Sequence, residues 1–275
     1  SSYEEQRLQD GYSKMSLQHA TLEEMDAYQD YLQDEMEYAP DTINKHLRFI
    51  VRVSNHAKKR KHAVSEDITY YDVPSKQGRK KEDIIFLNPE EVEMITAPQE
   101  DLPDYLQNTQ RIVILHLATG QRVSDVMQFV KSTFNKDKKG DIIASVRQQK
   151  TNKLVDIPIK DDKALEVIET GLFRAISHQN YNVYIKELAR RVGINEMTKS
   201  TMLVNKRKRK VKVEKYNLIS SHTMRRTTLS NLYNKSIPEY LLLNISGHSR
   251  SSQLHSYIGA DPNREAQLEE LKKYL

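Results

Sequence analysis

The chain has no cysteine. That absence removes disulfide frameworks, thiolate nucleophiles and cysteine-ligated zinc together. No apolar run approaches the ~20 residues that a membrane-spanning helix requires, and the N-terminus has no charged-then-apolar pattern of the secretory kind. No membrane partner and a cytoplasmic location are therefore expected. Glycine is scarce, with 8 in 275 residues, and no Gly-x-x-x-x-Gly-Lys segment occurs, so nucleotide hydrolysis has no support. Internal repeats, low-complexity tracts and clustered histidines and carboxylates with ligand spacing are also missing. No metal and no cofactor are expected.

What is present is charge. Apolar residues make up 37% and charged residues 29%, with 43 basic against 38 acidic side chains and a pI near 9.0. The length suffices for two domains, each with its own core. The basic excess is modest, but its distribution is uneven. Asn205-Lys206-Arg207-Lys208-Arg209-Lys210-Val211-Lys212 is a dense run, and shorter ones occur at Lys58-Lys59-Arg60-Lys61 and Arg79-Lys80-Lys81. Any one of these is ordinarily a solvated surface. Three of them in one chain favour a polyanion, because each phosphate neutralised releases counterions and adds sequence-independent affinity.

The first segment reads as helical. Thr21-Leu22-Glu23-Glu24 has the form of a capping box, and Leu22, Met25, Tyr28, Leu32 and Met36 recur at helical spacing, which predicts one apolar face. A second helix follows Pro40, with Asp41 or Thr42 as its cap, an apolar stripe of Ile43, Leu47, Ile50 and Val51, and Lys45, His46, Arg48 and Arg52 projecting elsewhere. Residues 72–83 carry Pro74, Gly78 and four basic residues without periodicity, which reads as a linker. Asn88-Pro89-Glu90-Glu91 then starts a new helix. Further on, residues 109–117 form a buried helix that Thr119-Gly120 breaks, placing Arg122 at the start of the next helix with Val123, Val126 and Met127 as anchors. Residues 141–147 and 153–159 read as two strands joined through Lys150-Thr151-Asn152-Lys153. Lys210-Val211-Lys212-Val213 alternates as part of a second small hairpin. Ala266, Leu268, Leu271 and Leu275 give a short amphipathic helix at the end of the chain.

The last quarter holds His222-Thr223-Met224-Arg225, then Gly247-His248, then Tyr257 nine residues later. With Thr119-Gly120-Gln121-Arg122 upstream, that set comprises two guanidiniums, two imidazoles and a phenol. Guanidiniums grip phosphate oxygens bidentately, imidazoles move protons near neutrality, and a phenol can serve as a covalent nucleophile. Each residue alone is ordinary; their order and local context carry the meaning. His255 is close in sequence to both His248 and Tyr257, but a seven-residue spacing does not make a ligand pair, and it is read as facing solvent or nucleic acid.

At these residues the chain resembles the tyrosine recombinase (phage integrase) family, whose recurring pattern is Arg, Lys, His-x-x-Arg, His or Trp, then Tyr. Thr-Gly-x-Arg fits Arg122 as the first arginine, with Asp125 at the family's acidic position. His222 and Arg225 fit the His-x-x-Arg pair, Ser246-Gly247-His248-Ser249 fits the Gly-His-Ser context, and Tyr257 stands at the nucleophile's spacing. Ser221 to Thr227 followed by Ile245-Ser246-Gly247-His248 looks like the integrases of mobile elements from Bacteroides-type bacteria.

The resemblance implies catalytic roles for Arg122, Lys150, His222, Arg225, His248 and Tyr257. The arginines would stabilise the nonbridging oxygens, His222 would move a proton and contact phosphate, and His248 would add a hydrogen bond. Lys150 would protonate the leaving 5′ oxygen, and Lys153, across the same turn, is its competitor. Asp125 would support by orienting a guanidinium. DNA-binding candidates are Lys45, Arg48, Arg52, Arg207, Lys208, Arg209 and Lys210.

The implied fold is mainly α, a helical core-DNA-binding domain at 1–82 followed by a mixed α+β catalytic domain at 83–275 with a small antiparallel sheet or hairpins. The implied activity is site-specific cleavage and rejoining of double-stranded DNA through a 3′-phosphotyrosyl intermediate, for integration or excision of a mobile element. A DNA invertase of the same chemistry, a type IB topoisomerase and a non-catalytic DNA-binding regulator are the alternatives. Self-association into a tetrameric synapse, accessory DNA-bending proteins, and a C-terminal helix docked in cis or in trans complete the expectations. An N-terminal arm-binding domain of the kind many members carry is not visible in these residues.

Overall fold

The computed structural model describes residues 2–9, 16–18, 20–73, 84–204 and 207–258. Arg79-Lys80-Lys81, most of the expected linker, Lys206 and the expected C-terminal helix lie outside the described residues, as do the side chains of Arg207 and Lys208. The chain divides into two compact units, Ser1–Gly78 with Met202–Arg209, and Arg79–Thr201 with Lys210–Leu275.

The first unit is helical: α1 (Ser2–Gln9), α2 (Leu22–Asp34), α3 (Pro40–Lys59) and α4 (Glu66–Tyr70). At the start of α2 the Glu24 amide donates to Thr21 Oγ1 and the Thr21 amide to Glu24 Oε2, both at 3.2 Å. This reciprocal pair satisfies two donors that the helix itself leaves open. Met25, Leu32, Ile43, Leu47 and Ile68 form the core. Two expected core positions fall outside it: Leu22 is exposed at the first turn, and Met36 is exposed beyond the helix end. The cap of α3 also differs from expectation. Ala39 is the N-cap and Pro40 occupies the first turn, because proline has no amide to satisfy there and its φ is already helical. On α3, Lys45 and Arg52 are exposed and Arg48 is half-buried, beside an exposed Phe49.

The second unit opens with α5 (Pro89–Thr96), where Asn88 Oδ1 accepts from the Glu91 amide and Glu91 Oε2 from the Asn88 amide, both at 2.8 Å. Its centre is α6 (Asp104–Thr119), which buries Leu106, Ile112, Val113, Ile114 and Leu115. A helix apolar on most sides has to be enclosed by its neighbours. Those neighbours include α8 (Asp162–Thr170), α9 (His178–Arg191) and α11 (Ser221–Asn234).

A three-stranded antiparallel sheet runs in the order β1 (Phe134–Lys136), β2 (Ile142–Arg147), β3 (Leu154–Pro158). Ala144 opposes Ile157 and Val146 opposes Val155, and all four are buried, as the two-residue strand period requires. β1 was not foreseen; three residues are too few to show a period. β4 (Met197–Val204) and β5 (Arg207–Glu214) form a separate two-stranded sheet. The helices α7 (Val123–Val126), α10 (Lys215–Leu218), α12 (Glu239–Ser246) and α13 (Ser251–His255) complete the described elements. A nearly buried ion pair, Lys215 Nζ to Glu91 Oε2 at 2.6 Å, ties the end of β5 to the capping box of α5.

Candidate active site

Four segments of the second unit deliver the candidate residues, and each is set by local sequence. α6 ends at Gly120 with φ +61, in the left-handed region where a side chain is disfavoured. A Cβ there would also meet Thr228 Cγ2 of α11 at 3.0 Å. The turn makes Arg122 the N-cap of α7. α11 begins where the Ser220 amide donates to Thr223 Oγ1 at 3.0 Å. Three-residue spacing then puts His222 and Arg225 on one face, His222 exposed at the helix start and Arg225 buried one turn deeper.

α12 ends at Gly247 with φ +65, and the chain passes to His248. Tyr257 follows α13 and donates its amide to Leu254 O at 2.8 Å. Its flanks Leu254 and Ile258 are buried against Leu229 of α11 and Leu242 of α12. That small apolar cluster fixes where the phenol points.

The structure brings His222, Arg225, His248 and Tyr257 together. The Tyr257 hydroxyl lies 2.8 Å from His222 Nδ1, the His248 ring centroid is 5.2 Å from that of Tyr257, and the Arg225 guanidinium carbon is 5.6 Å from the Tyr257 centroid. Arg225 is anchored by charge-assisted bonds from Nη1 to Gly120 O at 2.9 Å and from Nη2 to Ser246 O at 2.5 Å. It thus ties the turn that carries Arg122 to the turn that carries His248.

Three buried donor or ring atoms at the site have no hydrogen-bond partner: Arg122 Nη1, Arg225 Nε and His248 Nδ1. Burial normally demands a partner for such groups, and the two guanidinium nitrogens are free to donate to an anion. Burial and the Arg122 charge push the Arg225 pKa down to about 10, while Tyr257 and Asp125 act the other way. The guanidinium remains charged at neutral pH. Burial, then the charges of Arg225, Arg122 and Lys150, push His248 down to about 4, which makes it a neutral imidazole at pH 7.

Lys150 lies exposed in the β2–β3 turn, and its charge acts on His248. Lys153 is exposed on the far side of the same turn and gives its carbonyl to the Gln148 amide at 2.8 Å. Asp125 is buried, with Oδ1 accepting from the Gln149 amide at 2.9 Å. Its charge also acts on the Arg225 guanidinium. His255 is exposed, as expected of a solvent-facing residue, and its Nε2 is also 3.3 Å from Glu239 Oε2 on α12. Arg209 and Lys210 on β5 are exposed.

Two contributors escaped sequence reasoning. Arg226 stands 5.6 Å from the Tyr257 centroid, opposite in sequence order to nothing more informative than its neighbour Arg225. Gln148 is fully buried between the turns that carry Arg122, Lys150 and His248, and a single glutamine just after a strand carries no signal of burial.

Two histidines make stability sensitive to acid. His116 is fully buried between Tyr181 and the Gln121 carbonyl, and burial lowers its pKa from 6.5 to about 3; His248 is lowered to about 4. The unfolded chain binds these protons more readily than the folded one. Their stabilising contribution is therefore complete above about pH 6.5 and is lost as pH falls toward the folded values, with the partly exposed His248 contributing less. Urea midpoints should be lower at pH 5 than at pH 7. Equal midpoints would refute the burial of neutral imidazoles.

A phenol–imidazole pair beside arginines, on a helical unit with small sheets, is the arrangement that a tyrosine attacking a phosphodiester would use. The sequence profile described as "Phage integrase family" matches residues 85–264, and the chain belongs to that family, the tyrosine-type site-specific recombinases. No curated protein matches it in sequence.

Among solved structures it is similar to a lambda integrase (75-356) dimer bound to a COC′ core site, with TM-score 0.63, 17% identity, and 96% of this chain and 88% of that chain covered. It is also similar to the Tn1549 transposon integrase in complex with transposon right end DNA, with TM-score 0.66, 14% identity, and 99% and 93% covered. A third is the XerH recombinase bound to palindromic difH substrate in a post-cleavage complex, with TM-score 0.69, 13% identity, and 99% and 76% covered. The mainly helical fold with small antiparallel sheets is the fold of these proteins. Among the described residues no helix is long and apolar enough to cross a membrane.

Proposed function

We propose that this recombinase cleaves one strand of duplex DNA by attack of the Tyr257 hydroxyl oxygen on phosphorus. The O–P bond forms as the P–O5′ bond breaks, leaving a 3′-phosphotyrosyl link and a free 5′ hydroxyl. Attack by a 5′ hydroxyl from a partner duplex reverses the step and exchanges strands without an external energy source.

The observation that carries this reading is the Tyr257 hydroxyl held 2.8 Å from His222 Nδ1, beside the unpaired buried donors of Arg122, Arg225 and His248. His222 takes the phenol proton. Arg122 and Arg225 stabilise the charge that grows on the nonbridging oxygens, the term that dominates such reactions. Neutral His248 supplies a hydrogen bond, and Lys150 gives a proton to the leaving O5′. Asp125 supports the site by fixing the base of the Lys150 turn.

The first unit acts as the core-DNA-binding domain, with Lys45, Arg48 and Arg52 of α3 toward the backbone, and Arg207, Lys208, Arg209 and Lys210 of β5 adding phosphate contacts from the basic hairpin. Core-site, transposon-end and difH DNA in the similar structures support duplex DNA as substrate. A lambda integrase tetramer bound to a Holliday junction supports self-association of this chain into a tetrameric synapse. Integration or excision of a mobile element is the biological reading favoured by the family; an invertase would use the same site. Accessory DNA-bending proteins remain part of the proposal, as does a cytoplasmic location.

The test is a duplex nicked close to the cleavage position, taken from the junctions of the element that encodes the chain, incubated in excess EDTA. A denaturant-resistant protein–DNA adduct is expected. Abolition by EDTA with recovery on added magnesium or zinc would sink the division of labour among these side chains.

A further inference from the structure

We infer that Gln148 is the positioning residue for Lys150, setting the root of that side chain against the Arg122 and His248 turns. The inference rests on the reading of Lys150 as the proton donor to the leaving oxygen. In that step the Tyr257 oxygen bonds to phosphorus, the P–O5′ bond breaks, the phenol proton passes to His222 Nδ1, and the Lys150 ammonium gives its proton to O5′.

Gln148 is 0% exposed, and a buried amide is tolerated only when its donors and acceptor are used. Its Nε2 donates to Gln121 Oε1 at 2.8 Å and to Ile245 O at 3.2 Å, and its Oε1 accepts from Thr151 Oγ1 at 2.7 Å. One side chain therefore touches three catalytic turns. Gln121 immediately precedes Arg122, Ile245 lies in the last turn of α12 ahead of His248, and Thr151 immediately follows Lys150. The contact with the His248 turn is so close that a Cβ on Gly247 would fall 1.9 Å from Gln148 Oε1.

The residue on the other side of Lys150 is tethered as well, since the Gln149 amide donates to Asp125 Oδ1 at 2.9 Å. The Asn152 amide closes the turn onto Gln148 O at 2.8 Å. Lys150 is thus an exposed side chain on a backbone pinned on both sides. A flexible four-carbon stem can hold its ammonium at one oxygen only if its root is fixed, and a displacement of about 1 Å in such a group costs on the order of a hundredfold in rate.

A residue that merely stabilises the fold would slow every substrate alike, whereas a residue acting through Lys150 matters only when the leaving group needs a proton. An alkanethiol ionises near pH 8.5, by the roughly 8.5 of cysteine, far below an alcohol, so a bridging sulfur departs unprotonated. The experiment measures single-turnover adduct formation and melting temperature for Gln148→Met, Thr151→Val and Lys150→Ala. Each is assayed on the ordinary nicked duplex and on the same duplex with sulfur in place of the bridging 5′ oxygen.

All three variants should be slow on the ordinary duplex, with Gln148→Met on the order of a hundredfold slower. All three should recover the rate of the unsubstituted chain on the sulfur duplex, with half-saturating DNA concentration unchanged. If Lys150→Ala is not rescued by sulfur, the reading of Lys150 fails and takes the inference with it. If Lys150→Ala is rescued while Gln148→Met and Thr151→Val are slow on both substrates, or fast on both, the positioning role is overturned and the reading of Lys150 stands. Should Gln148→Met fail to fold, Thr151→Val decides alone, because it deletes one hydroxyl from a half-buried residue and keeps its shape.

Discussion

Tyr257→Phe should form no denaturant-resistant adduct with a nicked duplex, a loss on the order of the 10⁶-fold that follows removal of a covalent nucleophile. The substitution deletes one hydroxyl and leaves the ring, whose position comes from Leu254 and Ile258 in the apolar cluster with Leu229 and Leu242. The bond it breaks, to His222 Nδ1 at 2.8 Å, lies at an exposed site, so the stability cost is about 1 kcal/mol or less. The variant should therefore remain folded and bind its duplex as tightly as the unsubstituted chain, with affinity falling steeply as salt rises.

Peptide mapping of the adduct on the unsubstituted chain separates Tyr257 from the other 14 of the 15 tyrosines. Tyr240 is 70% exposed on α12. Tyr274 lies outside the described residues. A phosphate mapped to either, or an adduct that persists in Tyr257→Phe, would falsify the assignment while leaving the family membership intact. Salt-independent binding by the variant would count against the basic face of α3 and the basic strand β5.

How much of this was legible beforehand depended on distance along the chain. The capping box at Thr21–Glu24 and the helix start at Asn88-Pro89-Glu90-Glu91 are complete within four residues, and the structure forms both. The β2–β3 pair was legible because Val155, Ile157 and their partners alternate over a short span. The left-handed Gly120 could be anticipated from an apolar helix stopping at Thr-Gly.

What could not be read is nonlocal. Gln148 meets Gln121 and Ile245 across separations of 27 and 97 residues, and nothing in a lone glutamine announces either contact. His255 is solvent-facing as read, but its contact with Glu239 of α12, 16 residues upstream, carried no sequence signal. The site residues were named through resemblance to a family pattern, and their order in sequence says nothing about which guanidinium is buried. The Gln149 amide bond of Asp125 illustrates the same limit, since nothing near Asp125 in sequence announces a partner 24 residues away.

The two arginines should separate in a way their shared chemistry conceals. Each is assigned to the nonbridging oxygens, and loss of one such donor costs about 3–4 kcal/mol of transition-state stabilisation, a rate loss on the order of 10²–10³-fold. Arg225→Ala carries a second penalty. Arg225 is 1% exposed, and its removal leaves the carbonyls of Gly120 and Ser246 without their charge-assisted donors, together with a void. Hydrogen bonds from charged groups are worth roughly 1.5–3 kcal/mol each, so a destabilisation of about 3–5 kcal/mol follows, or a fall of roughly 6–20 °C in Tm for a unit of this size. Lysine cannot rescue it, because one ammonium on a flexible stem does not span two carbonyls that a planar fork reaches together.

Arg122 is the opposite case. Its Nη1 is buried without a partner, and its charge opposes that of Arg225. Arg122→Ala should therefore leave Tm unchanged or raise it, while adduct formation falls by the same 10²–10³-fold. Relief of the repulsion should also let His248 accept a proton at higher pH, since Arg122 is one of the charges that keep it neutral. Melting curves and single-turnover adduct rates on both variants decide the matter. If Arg122→Ala melts as early as Arg225→Ala, the unpaired nitrogen of Arg122 is a structural bond misread. If Arg225→Ala keeps the Tm of the unsubstituted chain, the clamp between the Gly120 and Ser246 turns does not hold the site together.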